Sequence, residues 1–310
     1  MEEVYPQELD MTPRPLRRLI CLALAAGLLA ACAGAPGREG PAPGRPQTSS
    51  PPSSPPPSAG PRTSSPGSVF VLIMENRSYA QAMSGTYTAG LASRFAVATE
   101  YHAVAHPSLP NYLALTSGST QGITDDGFHA LSSAGLGGEL SAHQVSWGAY
   151  MESMTEGCYD SPAPYALKHN PFAYYRGGCP ANVTSLSALA GQLRSGTAPR
   201  LVWITPNLCH DGHDCSTAVA DAFLSQLIPT ILASSAWRQG GLLLITWDEA
   251  EGDTTNRVPC LVVAPHLLAQ SSSRPYNHYS LLATVSSYLG VPALGQAALA
   301  TPFTDLVPNL

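Results

Sequence analysis

The sequence predicts an α/β fold in which a mostly parallel sheet carries helices on both faces, as a three-layer sandwich. Four runs are apolar at nearly every position rather than at alternate positions, which is typical of strands buried on both faces: 69–74, 201–205, 242–247 and 260–264. Apolar side chains recur at helical spacing in 218–234 and 280–289. This alternation of strands and helices favours parallel pairing with helices covering the sheet.

Polar side chains follow three of these strands at the point where each strand ends. Glu75 and Asn76 follow the first, Asp248 and Glu249 follow the third in chain order, and a polar stretch at 207–214 follows the run at 201–205. Ligands of open parallel sheets bind at the carboxyl ends of the strands. Because crowded carboxylates repel one another, the pattern predicts a bound divalent cation at this edge.

The amino-terminal part of the chain is expected to be an export signal and a tether. Residues 1–31 have basic residues ahead of an apolar run and are interpreted as a signal peptide, with translation beginning either at Met1 or at Met11. The sequence ending in Cys32 resembles a bacterial lipobox, which predicts lipidation of Cys32, with ordinary secretion as the alternative. Residues 32–67 are rich in proline and serine and are expected to be a disordered tether.

The folded domain is therefore predicted to span residues 68–310, outside the cytoplasmic membrane, with a lipid anchor as its membrane contact. The whole chain of 310 residues has a net charge of −6 and no basic patch, which argues against a nucleic-acid partner. Cysteine spacing favours disulfides Cys158–Cys179 and Cys209–Cys215, with Cys260 as a buried thiol. A zinc site at Cys209, His210, His213 and Cys215 is the alternative, although its ligands are cramped.

Ser108 stands at a predicted helix start, with Pro110 in the first turn. A serine in this context is commonly only an N-cap. A hydroxyl at the positive end of a helix dipole is also well placed to attack phosphorus and to hold the resulting phosphate. Both roles stay open for Ser108.

Six motifs together resemble the phosphoesterase family that contains bacterial acid phosphatases and phospholipases C, within the alkaline-phosphatase-like superfamily. They occur in the order of that family between Val69 and Pro302, and in size the chain is closest to the short secreted mycobacterial acid phosphatases. The motifs are Met74-Glu75-Asn76-Arg77-Ser78, His106-Pro107-Ser108-Leu109-Pro110-Asn111-Tyr112, Lys168-His169-Asn170-Pro171-Phe172, Pro206-Asn207 through Asp214, Trp247-Asp248-Glu249 and Asn277-His278-Tyr279-Ser280.

The resemblance implies an alkaline-phosphatase-like fold and a phosphoryl-transfer site. It implies that Ser108 is the nucleophile and that His169, His213 and His278 line the phosphate pocket. Further candidates for pocket contacts, or for residues that orient them, are His106, Asp211 and His210, although His210 departs from the family pattern. The implied ligands of one divalent metal ion are Glu75, Asn76, Ser108, Asp248 and Glu249. An all-oxygen set suits calcium, magnesium or manganese better than zinc.

The expected activity is hydrolysis of phosphate monoesters, of the acid phosphatase type, through a serine nucleophile. The expected partner is a phosphorylated small molecule or a phospholipid head group. One alternative is a phospholipase C-type phosphodiesterase, which an exposed apolar rim at Tyr165, Phe172, Tyr174 and Tyr175 would favour. An alternative of another class is a surface lipoprotein that binds partners without catalysis.

Overall fold

The computed structural model describes residues 67–307. The predicted signal peptide, Cys32 and the tether up to residue 66 lie outside the described residues, as do residues 308–310 at the end of the predicted domain. Within 67–307, no helix has both the length and the apolar character required to cross a membrane.

A single mixed sheet forms the middle layer of a three-layer α/β sandwich. Its strand order is β4-β3-β5-β1-β6-β7-β2-β8, with β9 paired to β2. β1 pairs in parallel with β5 on one side and with β6 on the other, so it lies in the middle of the sheet. The strands β1 to β9 span Val69–Met74, Ala96–His102, Trp147–Met151, Val183–Ser185, Leu201–Thr205, Leu242–Trp247, Arg257–Val263, Gln270–Ser272 and Tyr276–Asn277.

The strands predicted from continuous apolar runs are confirmed, with one difference in direction. β1, β5 and β6 have the predicted bounds, and all six residues of β1 are fully buried. β7 starts three residues before the predicted 260–264 and runs antiparallel to both β6 and β2. The other pairs for which a register exists are parallel, so the sheet is mostly parallel, as predicted.

Helices pack in two groups against this sheet. α3 packs against α4 and α8, whereas α6 packs against α2, α5 and α7. The predicted helices at 218–234 and 280–289 correspond to α6 and α8, each with its start one or two residues earlier. The helices α1 to α8 span Tyr79–Met83, Thr86–Ala92, Ser108–Ser117, Gly135–Ala142, Leu189–Ser195, Thr217–Ala233, Ser235–Arg238 and His278–Leu289.

Both disulfides expected from cysteine spacing are present. Cys158 is bonded to Cys179, and Cys209 is bonded to Cys215. Cys260 is a buried free thiol in β7, where burial strongly raises its pKa. Because Cys209 and Cys215 bond to each other, they do not supply the thiolate pair that the alternative zinc site requires.

Candidate active site

Three strand ends meet at one edge of the sheet and are tied together through their backbones. The amide of Glu75, directly after β1, donates to the carbonyl of Asp211 over 2.9 Å. The amide of Asp248, directly after β6, donates to the carbonyl of Met74 over 2.9 Å. The amide of Asn76 donates to Oδ1 of Asp248 over 3.1 Å. The polar residues that follow β1, β5 and β6 are therefore held together at the carboxyl edge of the sheet.

Ser108 reaches this edge from the start of α3. The N-cap role expected for Ser108 is wrong, because Pro107 is the N-cap residue and Ser108 is the first residue of the helix. One residue further into the helix, its hydroxyl turns towards the strand ends and donates to Oε2 of Glu75 over 3.1 Å. Ser108 is only 1% exposed. The hydroxyl thus lies inside the site, at the helix end where the dipole favours negative charge.

The turn that leads into Ser108 is fixed by Asn111, one turn further along α3. Oδ1 of Asn111 accepts from the amides of Val104 and Ala105 over 3.1 and 2.9 Å. Its Nδ2 donates to the carbonyls of Ala105 and Pro107 over 2.9 and 3.2 Å. Both donors and both acceptor positions of this buried amide are used, so the path of residues 104–107 is tightly specified.

Glu75 is the centre of the candidate site. It is fully buried, and Oε1 accepts a hydrogen bond from the hydroxyl of Tyr112 over 2.5 Å. Burial first, then the charges of Asp248 and Asp211, raise the pKa of Glu75 well above its usual value. Neighbouring carboxylates of this kind ionise together only when a positive charge lies among them.

The predicted oxygen ligands fit a hard divalent cation. Oδ1 of Asn76 and Oδ2 of Asp248 are buried and lack a hydrogen-bond partner among residues 67–307. Burial, followed by the charge of Glu249, raises the pKa of Asp248 to about 7. Burial is also the main cause that raises the pKa of Glu249 to about 7. A cation held by these oxygens, together with those of Glu75 and Ser108, would satisfy the unpaired atoms and relieve the repulsion.

A second combination of possible ligands shares Glu75 and includes a nitrogen. One ligand atom from each of Glu75, His169 and Asp211 lies within 4.8 Å of the others, and all three residues are buried. Nε2 of His169 lies 3.4 Å from Oε1 of Glu75, and Nδ1 lies 3.2 Å from Oδ2 of Asp211. Burial, and then the charges of Lys168 and His213, hold the pKa of His169 well below its usual value. Asp211 lies beside His169, where an orienting partner belongs, although both ring nitrogens of His169 and Oδ2 of Asp211 lack a hydrogen-bond partner among residues 67–307.

His278 also lies behind the site, whereas the resemblance implies that it lines the phosphate pocket. Its Nε2 lies 2.6 Å from the backbone carbonyl oxygen of Asp248, and its Nδ1 lies 2.8 Å from the hydroxyl of Tyr101. Because a carbonyl oxygen only accepts, Nε2 carries the proton and Tyr101 donates to Nδ1. Burial lowers the pKa of this ring to about 4. Both nitrogens are engaged, so His278 holds the backbone at Asp248 and does not face a ligand.

His213 lies at the exposed side of the site, beside Lys168. Nζ of Lys168 lies 3.2 Å from Nε2 of His213 and 2.9 Å from Oδ2 of Asp126. Nδ1 of His213 lies 2.7 Å from Oδ1 of Asp214. Since an ammonium group only donates, Nε2 of His213 accepts from Lys168 and Nδ1 donates to Asp214.

Of the histidines predicted to belong to the site, His106 and His210 differ in position. Nδ1 of His106 lies 2.5 Å from Oε2 of Glu249, and both residues line an open cavity together with Asn76. His210 points elsewhere, since its Nδ1 lies 2.8 Å from Oε1 of Glu152 and its ring stacks on Phe223. The structure therefore brings His106 to the pocket and leaves His210 outside it.

The aromatic residues considered for a lipid-binding rim belong to the core. Tyr165, Phe172, Tyr174 and Tyr175 are between 2% and 7% exposed. Their rings pack inside the protein, so they do not form the apolar rim that a phospholipid head-group enzyme was expected to have.

Three residues of the site were missed by sequence reasoning as functional candidates. Tyr112 lies four positions after Ser108, so both side chains emerge on the same face of α3. This spacing could have predicted that Tyr112 lies near the site. Lys168 lies within a motif that carries the resemblance, next to His169. Asp126 lies in a loop without periodicity, and its contact with the amide of Leu109 over 3.0 Å depends on tertiary folding alone.

Comparison with known proteins identifies a family and several named relatives. The model of the Phosphoesterase family matches residues 83–292, a range that contains Ser108, His169 and Asp248, whereas Glu75 and Asn76 precede it. The phosphatidylinositol-3-phosphatase of Mycobacterium tuberculosis is 30% identical over 245 residues, which cover 77% of this chain and 82% of that protein. The phosphate-repressible acid phosphatase of Penicillium chrysogenum is 29% identical over 244 residues, which cover 72% of this chain and 59% of that protein.

A solved structure shows the same fold at low sequence identity. A protein in the alkaline phosphatase superfamily from Vibrio parahaemolyticus superimposes with a TM-score of 0.55 and 12% identity, over 77% of this chain and 70% of the other. The fold agrees with the alkaline-phosphatase-like sandwich implied by the motifs. Because the family model matches more than half of the chain, this protein belongs to the Phosphoesterase family.

Proposed function

We propose that this protein hydrolyses phosphate monoesters with Ser108 as the nucleophile and with one divalent cation as its cofactor. The observation that carries the proposal is the position of the Ser108 hydroxyl, 3.1 Å from Oε2 of Glu75, at the start of α3 and among the strand-end carboxyl groups. The relatives from Penicillium and Mycobacterium, a named acid phosphatase and a named phosphatidylinositol-3-phosphatase, support a phosphatase activity.

The reaction begins with attack of Oγ of Ser108 on phosphorus. As the new bond forms, the hydroxyl proton passes to Oε2 of Glu75, to which it already points. The bond between phosphorus and the substrate alcohol breaks, and His213, on the exposed side, supplies a proton to the departing oxygen after its Nε2 has separated from Lys168 and taken up a proton from solvent. Water then cleaves the phosphoserine, which releases inorganic phosphate and restores the hydroxyl of Ser108.

The proposed cation ligands are Glu75, Asn76, Ser108, Asp248 and Glu249. When bound there, a hard cation such as calcium, magnesium or manganese lowers the pKa of the serine hydroxyl and neutralises phosphoryl charge. Tyr112 holds the carboxylate of Glu75 in place by a hydrogen bond, His169 lies 3.4 Å from the same carboxylate, and His278 holds the backbone of Asp248.

We further propose that the protein works outside the cytoplasmic membrane, tethered by a lipid on Cys32. Two disulfides fit an oxidising compartment. The proposed substrate is a phosphorylated small molecule or head group in that compartment. Metabolic labelling with a radioactive fatty acid tests the anchor: the full chain should take up label, and Cys32→Ser should not.

One comparison of substrates tests the activity. We expect p-nitrophenyl phosphate to be hydrolysed faster than p-nitrophenyl phosphocholine, and we expect a chelator to abolish turnover until a divalent cation is restored. Ser108→Ala should lose at least about a thousand-fold in kcat/KM, as the loss of a nucleophile does. Ser286→Ala is the matched control, because Ser286 is equally buried on α8 and its hydroxyl lacks a partner among the described residues.

Three outcomes would contradict the proposal. A faster diester reaction would favour the phosphodiesterase alternative. No turnover of either ester with any of the three cations would favour the binding lipoprotein. Normal turnover by Ser108→Ala would remove the proposed nucleophile.

A further inference from the structure

Lys168 is the only lysine of the chain. The other basic residues among the 15 lysines and arginines are arginines. Among residues 67–307 the other close pairs with acids are made by Arg257, Arg274 and several histidines. Lysine differs from arginine in being a compact charge with three rotatable donors rather than a planar fork. The single exception lies beside the candidate active site, in the short 3₁₀ turn Leu167–His169.

The ammonium group of Lys168 is linked to the nucleophile helix through one carboxylate. Oδ2 of Asp126 lies 2.9 Å from Nζ of Lys168, and Oδ1 of Asp126 accepts from the amide of Leu109 over 3.0 Å. Leu109 directly follows Ser108. Asp126 thus bridges the amino end of α3 and the lysine.

The contacts of Asp126 are those that a phosphoryl group would make. Backbone amides at a helix start and a lysine ammonium group are common ligands of phosphate oxygens. Both side chains are partly accessible, with 22% of Lys168 and 30% of Asp126 exposed. The negative charges of the buried acids Glu75 and Asp248 also act on Lys168 and help to raise its pKa, and His213 lies beside it. An anion that enters the site can therefore reach it by displacing Asp126.

We propose that Lys168 binds the phosphoryl group of the substrate in place of Asp126 and that this contact makes the site prefer monoesters over diesters. This inference rests on the proposed hydrolysis at Ser108. A phosphate monoester carries up to two negative charges near neutral pH, whereas a diester carries one. A cation that contacts the nonbridging oxygens therefore stabilises the monoester more. Lys168 is in this way a specificity-determining residue.

A labelling experiment tests phosphate binding without any turnover. The full chain, loaded with divalent cation, is treated with acetic anhydride in the presence and absence of inorganic phosphate, and the peptide that contains Lys168 is quantified by mass spectrometry. We expect phosphate to slow acetylation of Lys168 several-fold. A lysine-containing peptide added to the same reaction is the control, because phosphate should not protect it. Equal labelling of Lys168 with and without phosphate would overturn the proposal.

A kinetic experiment tests specificity. Lys168→Met should lower kcat/KM for p-nitrophenyl phosphate by about 10- to 100-fold, the loss expected for one charged hydrogen bond, and change that for bis(p-nitrophenyl) phosphate by only a few-fold. The variant should have a higher KM, with a smaller change in kcat, and inorganic phosphate should inhibit it less strongly. Arg194→Met, which removes an exposed charge at the end of α5, should change neither rate.

Two further variants keep the test decisive if Lys168→Met folds poorly. Lys168→Arg retains the charge and its pairing with Asp126, and we expect it to bind phosphate less tightly because of its planar shape. Asp126→Asn retains Oδ1 for the amide of Leu109 and frees Lys168, so inorganic phosphate should inhibit it at lower concentration. Equal losses for monoester and diester in the Lys168 variants would mean a purely structural role. Absence of all turnover in the unaltered chain would contradict the proposed function. The labelling experiment would still show whether Lys168 binds phosphate.

Discussion

A buried carboxyl group that faces other acids keeps its proton to a higher pH than an exposed one. Asp248 and Glu249 illustrate this, since burial and neighbouring charge raise both pKa values to about 7. In the unfolded chain these groups titrate near pH 4. Between pH 4 and 7 the folded state therefore binds more protons than the unfolded state, so the contribution of these groups to stability falls as pH rises through this window.

This predicts that a divalent cation stabilises the protein more at pH 8 than at pH 5. At pH 8 the cation meets ionised ligands and removes their repulsion, whereas at pH 5 it must displace their protons. With cation at roughly one hundred times its Kd, we expect Tm at pH 8 to rise by about 5–10 °C, and less at pH 5. Thermal unfolding with calcium, magnesium or manganese, against a chelator, measures the difference.

Two variants accompany that measurement. Asp248→Asn should lose the cation effect at pH 8, and Asp160→Asn, an exposed acid outside the site, should keep it. An equal rise in Tm at both pH values, or a full rise in Asp248→Asn, would contradict the proposed ligand role of Asp248.

At the scale of residues, the sequence identified side chains that follow strands better than those that depend on loops. Glu75 and Asp248 were predictable because a parallel sheet brings its carboxyl strand ends together. The engagement of both nitrogens of His278 was not, since it depends on Tyr101 from a distant strand. Asp126 was not predictable either, because no local pattern sets the course of its loop.

At the scale of elements, α3 presents the nucleophile only if the turn before it is held. Asn111 makes four hydrogen bonds to residues 104–107 while fully buried. The helix and the turn therefore act as one unit. Every residue of α3 is buried, so the helix has little freedom to adjust when the turn loosens.

We predict that Asn111→Ala destabilises the protein by about 2–4 kcal/mol, because it leaves buried backbone groups without partners. It should also lower kcat by at least about ten-fold, since Ser108 loses its fixed position. Chemical denaturation and steady-state kinetics at a temperature where the variant stays folded measure the two effects. Asn182→Ala is the control, because Asn182 is exposed and its side chain donates to a single carbonyl, that of Trp147. Unchanged kcat in a destabilised Asn111→Ala would mean that the turn supports the fold but not the nucleophile.

Elements were predictable from sequence where burial alone decides them. β1, β5 and β6 are buried on both faces, and their sequences are therefore continuous apolar runs. β2 was missed because Thr99 and Glu100 interrupt it, and β3 was missed because Gly148 interrupts its apolar run. The antiparallel direction of β7 was predictable from the sequence. Residues 248–256, which connect β6 to β7, are too few for the crossover that a parallel neighbour of β6 requires.

At the scale of the whole molecule, the two disulfides enclose the loops that complete the site. The bond between Cys158 and Cys179 spans the segment that carries Lys168 and His169, and the bond between Cys209 and Cys215 spans the segment that carries Asp211 and His213. The sheet fixes one side of the site, and these covalent links restrict the other. Arg77 adds to the second link, since it donates to the carbonyl of Cys215 over 2.7 Å.

We predict that removal of each disulfide affects stability and activity to different extents. Loop entropy gives a loss of about 3 kcal/mol for the Cys158–Cys179 pair and about 2 kcal/mol for the Cys209–Cys215 pair. Replacement of Cys209 and Cys215 by serine should nevertheless lower kcat more, because it releases His213, the proposed proton donor, and Asp211, whose carbonyl accepts from the amide of Glu75. Urea unfolding and kinetics on the two double-serine variants measure this order. A larger loss of kcat in the Cys158→Ser and Cys179→Ser variant would contradict it.

The central claim is that the hydroxyl of Ser108 becomes phosphorylated during turnover. The most direct measurement is rapid acid quench of the cation-loaded protein with p-nitrophenyl phosphate, followed by mass spectrometry of the peptide that contains Ser108. We predict that this peptide carries one phosphoryl group on Ser108 in the quenched protein, and that the same peptide of Ser108→Ala carries none. Steady turnover without any phosphorylated Ser108 at early quench times, or a phosphoryl group on another residue, would contradict the account.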